Sequence, residues 1–185
     1  MKAVGIFMAI AASFFFMACG NRSTADAKLE KHEGHDTGNI VQSATPITST
    51  PFTLQDQGIH AIFQQYTQLT TALTNSNFAD AKIAANAIEA GAKEVTGAGS
   101  VASTAAKITN AADIETQRNA YATLSNKIIE LVKQSGLNNG ELYVDYCPMA
   151  LNDKGASWLS TQKEIKNPYF GEKMMTCGEI KETIR

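Results

Sequence analysis

Charge of either sign in excess is the first thing this sequence lacks. Lys and Arg total 16 against 18 Asp and Glu, a net charge of −2 over 185 residues. No basic face is numerous enough to follow a phosphate backbone, so nucleic acid is excluded as a partner. Catalytic signatures are missing too. There is no Cys-x-x-Cys pair, no nucleophile elbow, no glycine-rich phosphate loop and no His-Glu-x-x-His zinc motif, and an enzyme is not expected. The length suits one domain with a hydrophobic core and is short for two.

What is present begins with a leader. Lys2 supplies a positive start, and the apolar run Val4 to Phe16 is shorter than the roughly 20 residues that span a bilayer. Residues 1–18 therefore read as a signal peptide. The run ends in Phe16-Met17-Ala18-Cys19-Gly20, which resembles a bacterial lipobox and implies acylation of Cys19. Gly20 in place of aspartate at the next position points to the outer membrane, with the periplasmic or surface face left open. Once Cys19 carries lipid, Cys147 and Cys177 are the remaining pair, in an oxidising compartment.

Residues 19–55 hold the lipidated cysteine and a polar stretch rich in Ser, Thr, Gly, Asp and Lys, expected to be a disordered tether with a reach on the order of 30 Å. From Asp56 the pattern turns helical. Ile59, Ile62, Phe63, Tyr66, Leu69 and Leu73 share one face of a helix to about Thr74. Asn77 is placed to cap a second helix striped by Phe78, Ala81, Ala85, Ile88, Ala92 and Val95. A third segment spans residues 101–112. Asp113 is placed to cap a fourth, which runs to about Ser135 with Gly136 as its stop. The expected class is all-α: an antiparallel four-helix bundle over residues 56–180. Residues 141–180 would fold as a Cys/Met- and aromatic-rich turn segment packed on it, starting with a short extended piece at Leu142 to Cys147. Trp158, Leu159, Ile165, Tyr169 and Phe170 are its expected anchors.

That last segment gathers two of the three cysteines and three of the six methionines. They fall into Cys147-Pro148-Met149 and Met174-Met175-Thr176-Cys177. Thiolate and thioether donors select soft ions, Cu(I) above all, with Ag(I) or Zn(II) behind it. Pro148 favours an extended Cys147, and residues i and i+2 of an extended stretch project to one side, so Cys147 and Met149 can converge. Met174 and Cys177, three apart, share a face if a helical turn lies between Gly171 and Gly178. The candidate metal ligands are thus Cys147, Met149, Met174 and Cys177, with Met175 read as core. His32 and His35 in the tether form a possible accessory site for a transiently held ion. His60 reads as a solvated flank of the first helix, and Asp145 and Glu164 as surface carboxylates paired with Lys154 or Lys163. The competing reading is a structural Cys147–Cys177 disulfide closing a loop of about 30 residues, worth about 3 kcal/mol, in a non-metal interaction module.

The run Tyr146-Cys147-Pro148-Met149-Ala150, then Gly155 to Ser160, Ile165 to Gly171, Met174 and Cys177-Gly178, resembles the family named domain of unknown function 3347. The resemblance spans about residues 56–179, and its specificity lies in the C-terminal segment. Members occur as small lipoproteins and as C-terminal domains of heavy-metal efflux adaptors. The resemblance therefore implies an all-helical domain, a context of copper or related metal handling, and an efflux adaptor as partner beside the membrane that holds the anchor. It also implies that the family's sulfurs correspond to Cys147, Met149, Met174 and Cys177, with Met175 where leucine is usual. Cys-Pro-Met resembles the start of short heavy-metal-binding domains too, but Ala150 stands where those often have histidine, so no imidazole ligand is carried over.

Overall fold

Side-chain oxygens fix where the helices start. The computed structural model describes residues 51–185, and in it α1 runs Gln57–Thr74 behind Asp56, whose carboxylate accepts from the Ile59 N–H at 2.9 Å. Helix α2, Phe78–Lys93, is capped by Asn77 through the Asp80 N–H at 3.1 Å. Helix α4, Ile114–Ser135, is capped by Asp113 through the Thr116 N–H at 2.7 Å. Each cap of this kind contributes about 1 kcal/mol; those at Asn77 and Asp113 are the ones the sequence predicts, and the Asp56 cap is found where the helical pattern is expected to begin. Helix α3, Gly99–Thr109, starts at Ala98 without a side-chain cap. Gly136 stops α4 at φ 77°, and a Cβ there would lie 3.0 Å from the Gln55 side chain. The expected signal peptide and tether, with Cys19, His32 and His35, lie outside the described residues.

Each helix packs on the next, and α4 also touches α1. Ala81, Ala85, Ala92 and Ala105 are buried between them, which lets the axes approach. Phe63, Leu69, Leu73, Ile88, Ile108 and Leu124 fill the centre, each large aliphatic or aromatic side chain contributing roughly 1.5–3 kcal/mol by leaving water.

The all-α expectation fails after α4. Strand takes about 16% of the described residues, which makes the class α+β with a four-helix part. A short ladder pairs β1, Thr53–Leu54, with β2, Leu137–Asn139. A three-stranded antiparallel sheet has β3, Leu142–Cys147, at its centre, with β4, Ala156–Ser160, and β5, Glu179–Ile184, on either side. Strand β3 is the extended piece expected at Leu142 to Cys147, with five of its six residues buried; the expectation lacked the two strands that pair with it. Its partners are set by non-local pairing: Asp145 lies opposite Trp158 on β4 and opposite Ile180 on β5. Strand β5 is an outer edge whose Glu179, Lys181 and Glu182 are exposed, a charge pattern that discourages further strand addition.

Tyr66 joins the sheet to the helices. Its buried hydroxyl lies 2.8 Å from Ser125 Oγ, accepts from the Tyr121 hydroxyl at 2.9 Å and accepts from the Leu159 N–H of β4 at 3.1 Å. One donor and two acceptor sites are then all used. Stacked rings continue the junction: Tyr66 on Tyr121, Tyr121 against Tyr169, and Tyr169 edge-on to Trp158, at centroid spacings of 5.5, 5.5 and 5.9 Å. Trp158, Leu159 and Tyr169 are buried as expected of anchors, and Ile165 and Phe170 are partly buried against the same core. Tyr66→Phe is expected to cost about 1–3 kcal/mol, because the Leu159 N–H is left buried without an acceptor. Urea unfolding measures this, and a loss under about 0.5 kcal/mol would show that the hydroxyl is dispensable.

Candidate functional site

Strand β3 delivers Cys147 at its last position, opposite Ala156 of β4. The chain returns to the same place at Cys177, just before β5, whose Glu179 pairs with Tyr146. The two sulfurs lie 2.7 Å apart. Cys147 is 0% exposed, whereas Cys177 is partly open. Gly178 holds φ 143°, and a Cβ there would lie 3.0 Å from the Trp158 ring and 3.1 Å from the Tyr146 carbonyl. Only glycine lets the chain pass this close.

Asn167 sets the position of Cys177. Its Nδ2 donates to the Cys177 carbonyl at 2.7 Å, and its Oδ1 accepts from the N–H groups of Tyr169 and Phe170 at 2.8 and 3.2 Å. Its backbone N–H donates to Met175 O at 2.8 Å, and its carbonyl accepts from Gly171 N–H at 3.1 Å. The Cys177 N–H donates to Met174 O at 3.1 Å. Sequence reasoning did not single Asn167 out; the Asn-Pro turn signal was the available clue.

The methionines divide. A 3-10 turn spans Gly171–Met174, so the helical turn expected before Cys177 exists. Met174 and Met175 are both half-buried, and the Met175 carbonyl serves Asn167, so Met175 is not simple core. Met149 is 46% exposed. Strand β3 ends at Cys147, and Met149 has a helical backbone at φ −82°, ψ −11°, so strand alternation does not carry from Cys147 to Met149. Leu151, Asn152 and Asp153 follow with φ of 56°, 57° and 63°. Met149 lines a cavity of about 520 Å³ with Glu115, Arg118, Tyr169 and Phe170. Among the described residues, no three of His, Cys, Asp and Glu come together to hold an ion.

Asp145 is not a surface carboxylate. It is 0% exposed, and neither carboxylate oxygen has a hydrogen-bond partner. Lys163 lies instead over the Tyr143 ring at 5.9 Å, and Glu164 pairs with Lys166 at 3.5 Å. Two residues from Cys147 on the same strand, Asp145 shares its face, about 6.6 Å along the chain. Burial pushes its carboxyl up to about 7. Cys177 is pushed up to about 11, first by its hydrogen bond with Cys147, then by desolvation and by the charge on Cys147. His60 also has partners: its Nδ1 accepts from the Leu54 N–H at 3.4 Å, and Nε2 lies 3.2 Å from the Gln64 amide.

Asp145 makes stability fall as pH rises. Below about 4 the carboxyl is neutral in folded and unfolded chains alike. Between about 4 and 7 only the unfolded chain ionises, and above about 7 the loss is complete. Asp145→Asn is therefore expected to raise Tm at pH 8 by about 2 °C or more, the shift for roughly 1 kcal/mol in a domain of this size, and to match wild type at pH 4. Calorimetry at the two pH values checks it. Asn167→Ala is expected to cost about 2–3 kcal/mol in urea unfolding, since three backbone groups lose their partner. Asn167→Asp, which keeps the acceptor and loses the donor, should fall between the two.

No curated protein and no solved structure matches the chain. A family model does, over residues 62–140, from within α1 to the turn before β3. The match falls on the helices and stops short of the segment that carries Cys147 and Cys177. Residues 62–140 match the model of the family described as "Protein of unknown function (DUF3347)", which supports the resemblance read from the sequence.

Proposed function

We propose that this is a lipid-anchored, periplasm-facing protein of heavy-metal homeostasis that takes up a soft ion, Cu(I) first, on the reduced Cys147–Cys177 pair. Cys19 carries the lipid in this reading, and a heavy-metal efflux adaptor is the partner class. The observation that supports it is the placement of two cysteine sulfurs side by side, one on β3 and one in the segment clamped by Asn167.

The donor chemistry suits the ion. Two thiolates and a monovalent ion leave one net negative charge, and uncharged thioethers add none. Met174, one turn from Cys177, is the nearer candidate thioether by chain geometry, and Met149 needs the turn after β3 to rearrange. Two sulfurs on one ion at about 2.3 Å each lie about 3.8–4.6 Å apart, so loading spreads the pair from its 2.7 Å contact. Both thiols must also lose their protons. With Cys177 held up to about 11, uptake strengthens as pH rises.

The 2.7 Å contact favours a second reading, a structural disulfide in a non-metal interaction module. Less than an ångström of approach reaches the covalent S–S distance.

The test uses the full chain carrying Cys19→Ser, in detergent. Free thiols are counted before and after reduction, and Cu(I) is titrated against a competing chelator. One Cu(I) per reduced chain is expected, lost in Cys147→Ser or Cys177→Ser and weakened about tenfold or more in Met174→Leu, a difference of about 1.4 kcal/mol. A reduced protein with two countable thiols and no uptake would sink the metal reading and leave the disulfide.

A further inference from the structure

The pair is asymmetric in a way that neither reading uses. Cys147 is wholly buried on the central strand, hydrogen-bonded into a sheet with a neighbour on each side. Cys177 is partly open, between exposed Thr176 and exposed Glu179. Their sulfurs are 2.7 Å apart, and the Cys177 backbone is tied at both its N–H and its carbonyl. An external molecule can therefore reach only one of the two sulfurs, and the other already stands against it.

We infer that the pair undergoes thiol–disulfide exchange with small disulfides in a fixed order, opening through Cys177 and closing through Cys147. In the first step the Cys177 thiol gives up its proton and its sulfur attacks one sulfur of the external disulfide. A mixed disulfide forms on Cys177 and one external thiolate leaves. In the second step Cys147 gives up its proton and attacks Cys177 Sγ. The Cys147–Cys177 bond forms, the mixed disulfide breaks, and the second external thiolate leaves. The protein loses two electrons, the external disulfide gains two, and the two protons go to the released thiolates. The reverse reaction starts at the same place, because an external thiolate reaches only Cys177 and expels Cys147. Access, and not acidity, sets the order. This goes beyond metal uptake and stands on the pair alone; for a metal-loaded pair, the same oxidation removes both thiolates at once.

The experiment uses the full chain with Cys19→Ser, glutathione disulfide as probe and intact-mass spectrometry. The wild-type pair is expected to end as an internal disulfide without a lasting adduct. Cys147→Ser is expected to hold one glutathione on Cys177, and Cys177→Ser to react at least about tenfold more slowly. Equal adduct rates on the two variants, or an adduct on Cys147 first, overturn the inference. Because Cys147→Ser alters a buried position, a brief N-ethylmaleimide pulse on the reduced wild-type pair followed by peptide mapping gives an independent reading. Label on Cys177 before Cys147 supports the order, and the reverse refutes it. Exchange in this order by a chain that takes up no Cu(I) keeps this inference while sinking the metal proposal.

Discussion

The Asn167 carboxamide donates to the Cys177 carbonyl and accepts from the N–H groups of Tyr169 and Phe170, while its backbone bonds Met175 and Gly171. Between Ser160 and Glu179 the chain has only one short 3-10 turn, so its buried peptide groups cannot find partners in a ladder. Such groups must be paired or cost their full desolvation. One buried asparagine makes five of those pairings, through its side chain and its backbone. Tyr169 is thereby held against Tyr121 and Trp158, and Cys177 against Cys147. Pro168, which has no N–H to satisfy, offers its carbonyl to Arg118 Nε at 3.0 Å, and Arg118 Nη2 also donates to Leu73 O and Ser76 Oγ, both at 3.1 Å. The end of α1, the start of α4 and the crossing thus share one guanidinium.

Against this economy of pairing, Asp145 is an exception. A carboxyl without a hydrogen-bond partner in the central strand is less stable than a leucine of similar size would be, and the fold contains it by keeping it neutral over much of the pH range. The group is on the face that also bears Cys147, and that face is itself core, with Trp158 and Ala156 opposite on β4. Leu142, Val144 and Leu159 are core on the other side.

The helices were legible because their determinants are local. Asn77 and Asp113 announce their caps within three residues, and the stripe from Ile59 to Leu73 repeats at helical spacing. Of the sheet only β3 was legible, as the extended piece at Leu142 to Cys147; β4 and β5 become strands only by pairing with it, and that pairing is non-local. The same limit applies to the site. Cys147 and Cys177 could be paired by elimination once Cys19 was set aside, but Asp145 and Asn167 acquire their roles only from what lies over them. Met149 shows a narrower error: Pro148 restricts the residue before it, Cys147, and places no such restriction on the residue after it.

The geometry also decides where any change at the sulfur pair must be absorbed. Bringing the sulfurs into a bond shortens their 2.7 Å contact, and placing an ion between them lengthens it to about 4 Å. Cys147 cannot follow either movement far, because β3 is hydrogen-bonded to β4 on one side and β5 on the other and is packed on both faces. Cys177 is in a turn, outside the ladder, and its restraints are the Met174 and Asn167 hydrogen bonds. A displacement there passes directly into Gly178 and the start of β5, an edge strand with one neighbour and a charged, exposed surface. A change at the pair is therefore absorbed more readily at Gly178, at the exposed edge strand β5 and at the buried Asn167 contacts than in β3, which is held on both sides.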